Sequence, residues 1–170
     1  MRVECAWCRK YLRDVGPVSE SVSHGICETC RDKLMRSVPV SIPRLIETFD
    51  FPVLLVDNDV VIHGANSAAV AILGRRVAVI GNLKGGDAIS CENAAGEGGC
   101  GRSPHCAGCV LRNSVAATHA DGRPRQNMVS RHRLDGDTGR RDVAVRISTE
   151  KVGEMVLLMV EDLVEEAAPR

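Results

Sequence analysis

The chain has 170 residues, room for one ordinary domain or for a small module and one compact domain. Its 22 Lys and Arg balance 22 Asp and Glu, and its aromatics are Trp7, Tyr11, Phe49 and Phe51. That composition argues against a general polyanion binder and against a surface that stacks nucleic-acid bases.

The first 38 residues hold two Cys-x-x-Cys pairs. Thr29 to Val38 reads as helix, with Leu34, Met35 and Val38 on one face, and Pro39 and Pro43 mark a module boundary. Leu45 to Phe49 reads as a short helix. Phe51 to Val56 and Val60 to His63 read as strands of a hairpin around Asp57-Asn58-Asp59. Asn66 or Ser67 caps a helix that Gly74 stops, and Val77 to Ile80 is a further apolar stretch. Residues 84–108 are glycine-rich. A helix starts near Cys106 to Cys109 and runs to Gly122. Three strands follow, Gln126 to Leu134, Asp142 to Ser148 and Met155 to Glu161, with turns at Asp135-Gly136-Asp137 and Lys151-Val152-Gly153.

This order predicts an α+β fold: an antiparallel sheet with helices on one face, plus a small N-terminal metal-bound module. The expected divisions are a module over 1–38, a sensor-like domain over 43–164 with a cysteine-rich insertion at 91–109, and a tail over 165–170. The longest apolar stretches, Val53 to Val56 and Met155 to Val160, fall far short of the roughly 20 residues that cross a bilayer. No apolar run follows basic residues at the start. The expectation is a soluble, cytoplasmic protein with no membrane partner.

Eight cysteines in a reducing compartment read as metal ligands or redox groups, not as a disulfide framework. They fall into two groups of four, so each group can close a four-ligand site. Cys5, Cys8, Cys27 and Cys30 form two Cys-x-x-Cys turns with 18 residues between the pairs. Two such turns facing each other make a tetrahedral thiolate cage that suits structural zinc, with mononuclear iron as the alternative. A module this small needs the metal for its folding energy. His24, three residues before Cys27, is an alternative ligand, and a backbone-bonded turn histidine is its plainer reading. The module's seven basic and five acidic residues alternate, which favours protein contact over DNA binding.

Cys91, Cys100, Cys106 and Cys109 are separated by eight, five and two residues. The glycines around Cys100 let backbone amides approach sulfur, and the last pair opens a helix whose dipole stabilises thiolates. This spacing fits an iron–sulfur cluster or zinc, with a metal-free thiol–disulfide switch as the third reading. His105 is an outer-sphere donor or an exposed loop residue. No phosphate loop, H-E-x-x-H or Ser/His/Asp signature is visible, so no enzymatic activity and no catalytic residue are expected.

Phe51 to Asp59, Val60 to Ala69 and Ile72-Leu73-Gly74-Arg75 resemble the opening hairpin and first helix of a PAS sensor domain. Val156 to Leu163 resembles the last PAS strand and its acidic exit. The N-terminal residues Cys5-Ala6-Trp7-Cys8-Arg9-Lys10 and Ser23 to Cys30 resemble a cysteine module found ahead of PAS domains in bacterial signalling proteins. Gly99 to Cys109 is similar to a cysteine-bearing PAS variant. The resemblance implies a ligand pocket beside the Cys109 helix. It brings no flavin-type cysteine motif and no haem histidine, so the cysteines become the sensory group.

The expected function is non-catalytic bacterial signal transduction. The chain would sense redox state, oxygen or metal and signal by contact with a histidine kinase or response regulator, or by homodimerisation. The alternatives are a structural-zinc interaction adaptor and a zinc-ribbon transcriptional regulator. A thiol oxidoreductase is disfavoured because no strand pattern precedes Cys5.

Overall fold

Two continuous apolar runs organise the chain. Strand β4 (Val53–Val56) reads Val-Leu-Leu-Val and is buried at every position; its partner β8 (Met155–Glu166) is buried from Val156 to Met159. Successive residues of a strand face opposite sides, so a run without polar alternation must be covered on both. The computed structural model, which describes residues 1–16, 21–36, 42–73, 83–136 and 139–166 (backbone alone at 34–36, 42 and 43), shows both coverings.

The larger sheet has five antiparallel strands in the order β5-β4-β8-β7-β6, with β5 at Ile62–Ala65, β6 at Arg125–Gly136 and β7 at Gly139–Val152. Leu54 lies opposite Leu158 and Val56 opposite Val156. These four share a core with Ile62, Val143, Val145, Ile147 and Val115. Helices α3 (Ser67–Leu73), α4 (Gly85–Ala88) and α5 (Val110–Asp121) lie on that face. The expected α+β class is therefore observed.

The alternate residues Val53, Leu55, Leu157 and Met159 point the other way. They form a second core with Cys5, Ala6, Ile26, Cys27 and Cys30 of the N-terminal segment. That segment is a three-stranded sheet of order β2-β1-β3, with β1 at Arg2–Cys5, β2 at Tyr11–Asp14 and β3 at Val22–Gly25, followed by helix α1 (Glu28–Arg36). A short helix α2 (Ile42–Ile46) adds Ile46 to the same core. Polar pairs join the two sheets: Ser23 and Ser148 hydroxyls both donate to Glu161 Oε1 at 2.7 Å, and Arg13 donates to Gln126 at 2.7 Å.

The N-terminal segment shares its core with the β4 and β8 side chains that face away from the helices. One expectation is corrected here. A strand does precede Cys5, since β1 ends on it.

The hairpin, the capped helix and the last three strands fall where the sequence pattern puts them, the strands longer by several residues. Asn66 is the cap. Its Oδ1 accepts from Ala69 N and from Val53 N, both at 2.9 Å, and its amide donates to the Phe51 carbonyl at 2.8 Å. Helix α5 ends at Gly122, whose φ of +70° is the left-handed cap that glycine adopts without strain. The proposed boundary at Pro39, the stop at Gly74, the stretch Val77 to Ile80, Asp137, and the chain beyond residue 166 lie outside the described residues. Among the described residues no helix is long and apolar enough to cross a membrane.

Candidate metal centres

The first centre sits where the N-terminal sheet meets α1. Cys5 closes β1, and Cys8 follows on the turn that Arg9 N→Cys5 O tightens, with Arg9 at φ +59°. Cys27 directly precedes α1, and Cys30 lies in its first turn. The second pair therefore belongs to a helix start, not to a second turn mirroring the first. The four sulfurs lie within 4.8 Å of one another. Cys8 and Cys27 sulfurs are 3.7 Å apart, which matches the ~3.8 Å between thiolates bound tetrahedrally to one ion at 2.3 Å.

Backbone donors point at the sulfurs. Cys27 N donates to Cys5 Sγ and Cys30 N to Cys27 Sγ, each at 3.4 Å. Burial alone would raise the Cys5 thiol. The amide donors of Cys27, Cys8 and Trp7 outweigh that and bring it to about 7. Cys30 goes the other way, raised by burial and then by hydrogen bonding to the neighbouring thiols. One negative charge is already favourable in this cage; four thiolates need a cation.

His24 does not join the cage. Its ring stacks on Phe51 with centroids 4.3 Å apart, and its Nε2 meets Arg9 at 3.3 Å. Burial holds its pKa down. Trp7, between two ligands, is 39% exposed.

The second centre lies against the helix-bearing face of the larger sheet. Cys91, Cys100, Cys106 and Cys109 all lie in the one connection between α4 and α5 and line one cavity of about 260 Å³, together with Arg112 and His132. Cys91 follows α4 and pairs by its backbone with Leu134 of β6. Cys100 ends the glycine turn; its N–H donates to Asp87 at 3.0 Å. Cys106 lies in the 3-10 turn Pro104–Gly108, and Cys109 is the residue before α5.

Gly86 shows why the loop is glycine-rich. A Cβ there would lie 2.7 Å from Cys100 Sγ, and the Gly86 amide is a donor to that sulfur. The Asn93 amide plays the same part for Cys91. Burial pushes the thiols of Cys91 and Cys100 up, so without a metal these two are protonated and poor nucleophiles.

The residues that the sequence reading passed over come from α5 and β6. Arg112, one turn after Cys109, reaches Cys100 Sγ at 3.8 Å and also the Asp59 carbonyl and carboxylate on the β4–β5 turn. Lys84 pairs with the other Asp59 oxygen. His132 faces the cavity beside Ser130, its Nδ1 4.0 Å from Cys91 Sγ and its Nε2 2.8 Å from Ser130 Oγ. The Cys109–Arg112 spacing and the Ser130–His132–Leu134 alternation are the signals that place these side chains on inner faces. His105 is exposed at the cavity rim.

The two groups differ in geometry. Among the described residues, the N-terminal cysteines are the one group whose donor atoms gather closely enough for a single ion. The mid-chain cysteines share a cavity without meeting at its centre. No protein-family profile matches this chain, and no curated protein is detectably similar to it.

Proposed function

We propose that this chain is a non-catalytic sensor of bacterial signal transduction, a PAS-like domain fused to a zinc-held N-terminal module. The mid-chain cysteine cavity is its sensing element and a metal or redox signal is its input. The observation that carries this reading is that the connection between α4 and α5 folds so that its four cysteines line one cavity against the sheet. A centre there is tied to the hairpin through Arg112 and to the sheet through His132. The α+β architecture, the opening hairpin, the Asn66-capped helix and the last strand support the PAS resemblance. Zinc suits Cys5, Cys8, Cys27 and Cys30 because four cysteine sulfurs within 4.8 Å of one another supply the closed four-thiolate set that structural zinc takes.

In this reading the N-terminal module is both cover and reporter. It packs on the sheet face opposite the sensing cavity, so a shift of the sheet alters the surface offered to a partner. The partner class is a histidine kinase or a response regulator, reached by protein contact.

Hydrogen exchange followed by mass spectrometry tests the proposal. The protein is compared anaerobically and after mild oxidation, and again before and after chelation of weakly held metal. Altered protection is expected at residues 57–62 and 83–112, extending to the N-terminal sheet. Unchanged protection everywhere, with the mid-chain centre altered chemically, would sink the sensor reading.

A further inference from the structure

The two cysteine groups differ in how closely their sulfurs gather: the first is compact, and the second surrounds an open cavity. Four thiols suited to a single ion come together, as the first group does. In the second, no three donors among its cysteines, His132, His105 and Asp87 gather within 4.8 Å. The space they surround is about 260 Å³, far more than one tetrahedrally bound ion occupies. Its wall includes the cysteine sulfurs, the amides of Gly86 and Asn93 and two arginines, Arg112 and Arg131, of which Arg112 reaches the Cys100 sulfur. Thiolates held apart around a filled centre are the requirement of a polynuclear group, in which each sulfur binds a different metal atom or shares one with a single neighbour.

We propose that Cys91, Cys100, Cys106 and Cys109 ligate an iron–sulfur cluster, with Arg112 as the outer-sphere donor to the Cys100 thiolate. This rests on the sensor reading for its purpose but not for its chemistry. On binding, each cysteine exchanges its S–H bond for an S–Fe bond, so four protons leave. Iron and sulfide come from outside the chain, and no electron is exchanged when ferrous and ferric iron are supplied in the cluster's own ratio. The assembled group with its four thiolates is anionic, and Arg112 is the cation that reaches its Cys100 sulfur.

Arg112 also fixes Asp59, and Asp59 holds Lys84. The guanidinium is thus divided between the centre and the β4–β5 turn, where Val60 carries a positive φ of 63°. A change of charge at the centre alters how strongly Arg112 is drawn from Asp59. Charge and hydrogen bonds at cysteine sulfur set a cluster's potential. A lost donor and a lost cation both disfavour the more negative reduced form.

The full-length protein is purified anaerobically and reconstituted with ferrous and ferric salts and sulfide. Expected are iron and acid-labile sulfide in equal amounts, an absorption band near roughly 400 nm, and an electron paramagnetic resonance signal in the reduced or oxidised state. Cys106→Ser, on a surface turn, should lose the iron and sulfide while its circular dichroism stays native and its zinc stays bound. Arg112→Leu should keep the iron and sulfide and shift the midpoint potential to lower values on reduction by dithionite. Arg112→Lys, which keeps the charge, should recover part of that shift and guards against a folding defect in the first variant.

Zinc at both centres with no sulfide, or mid-chain thiols that bind no metal, would overturn the cluster. An unchanged potential in Arg112→Leu would overturn the role of Arg112. The sensor reading fails separately: a loaded cluster whose oxidation leaves hydrogen exchange unaltered overturns the sensor and keeps the cluster. An exchange response in protein that binds only zinc does the reverse.

Discussion

Glu150 is a carboxylate placed where a carboxylate is costly. It lies on β7, on the face that meets the N-terminal module, and is 3% exposed. Arg31 Nε of α1 stands 4.0 Å away on a side chain that is half exposed. Burial pushes the Glu150 carboxyl up from its ordinary 4.5 to about 7, with Arg31 and Arg13 pulling weakly in the other direction. Below pH 4.5 both folded and unfolded chains hold the proton, and the group contributes nothing to the pH dependence. Between 4.5 and 7 the folded chain keeps a proton that the unfolded chain releases, so stability falls as pH rises. Above 7 the whole penalty applies. The rise from 4.5 to about 7 corresponds to about 3 kcal/mol. Glu150→Gln keeps the shape and removes the charge. Urea unfolding should show it more stable than the parent by about 2–3 kcal/mol at pH 8, with little gain at pH 4.5. Taking the difference between the two proteins cancels the titration of histidines and metal-bound thiols common to both. An equal effect of the substitution at both pH values would refute the reasoning, since only a titrating carboxyl produces the difference.

Asn66→Ala removes the acceptor of two buried amides and a helix cap, and should cost about 3 kcal/mol in chemical denaturation. Strong chelation should release the N-terminal metal, change Trp7 fluorescence and lower a single unfolding transition of the whole chain, because the cysteines belong to the core shared with β4 and β8. Even a third of the roughly 10 kcal/mol that structural zinc gives small peptides would lower Tm by about 6–12 °C; two separated transitions in calorimetry would contradict the shared core. Gly86→Ala should displace Cys100 and weaken metal binding at the mid-chain centre by at least about tenfold, with the N-terminal metal unaffected in a per-site metal analysis.

The N-terminal centre was legible in the sequence because its ligands are local pairs. Each Cys-x-x-Cys fixes two sulfurs on one turn or helix start, and only the meeting of two pairs is left to the fold. The mid-chain centre was legible as a ligand set but not as a site. Its cavity is completed by Arg112 and His132, which the chain brings in from a helix and a strand. A histidine between two exposed arginines, as in Arg131-His132-Arg133, looks like surface until the inward phase of β6 is known. The arrangement of the N-terminal module was written in Val53-Leu54-Leu55-Val56. An uninterrupted apolar strand in an antiparallel sheet requires a second cover, and helices on one face supply only the first. What composition does not encode is which segment provides the other cover, because Ile26 and Val3 are individually no more apolar than the residues of any short strand.

Helix α5 links the parts physically. It follows directly on Cys109, which lines the cavity, and its last turns rest on β7. There Thr118 Oγ1 meets Thr149 Oγ1 at 2.7 Å, and Lys151 donates to the His119 carbonyl. Thr149 is flanked on the same strand by Ser148 and Glu150, which face the opposite side and touch the N-terminal module. Alternation along one strand therefore carries contact from the cavity's helix through the sheet to β3 and α1 of the N-terminal module. Thr118, Thr149, Ser148, Ser23 and Glu150 along this route are buried, in a close-packed interior where a displacement is not absorbed by solvent. Contiguity of this kind is necessary for coupling and does not by itself supply it. The coupling requires an element with two arrangements. The sensor proposed above assigns that part to the β4–β5 turn, where Asp59 is held by Arg112 and Lys84 together and Val60 carries a positive φ of 63°. Under that proposal a weaker hold by either cation would free the turn, and the hairpin it joins is the edge of the same sheet on which the N-terminal module is seated.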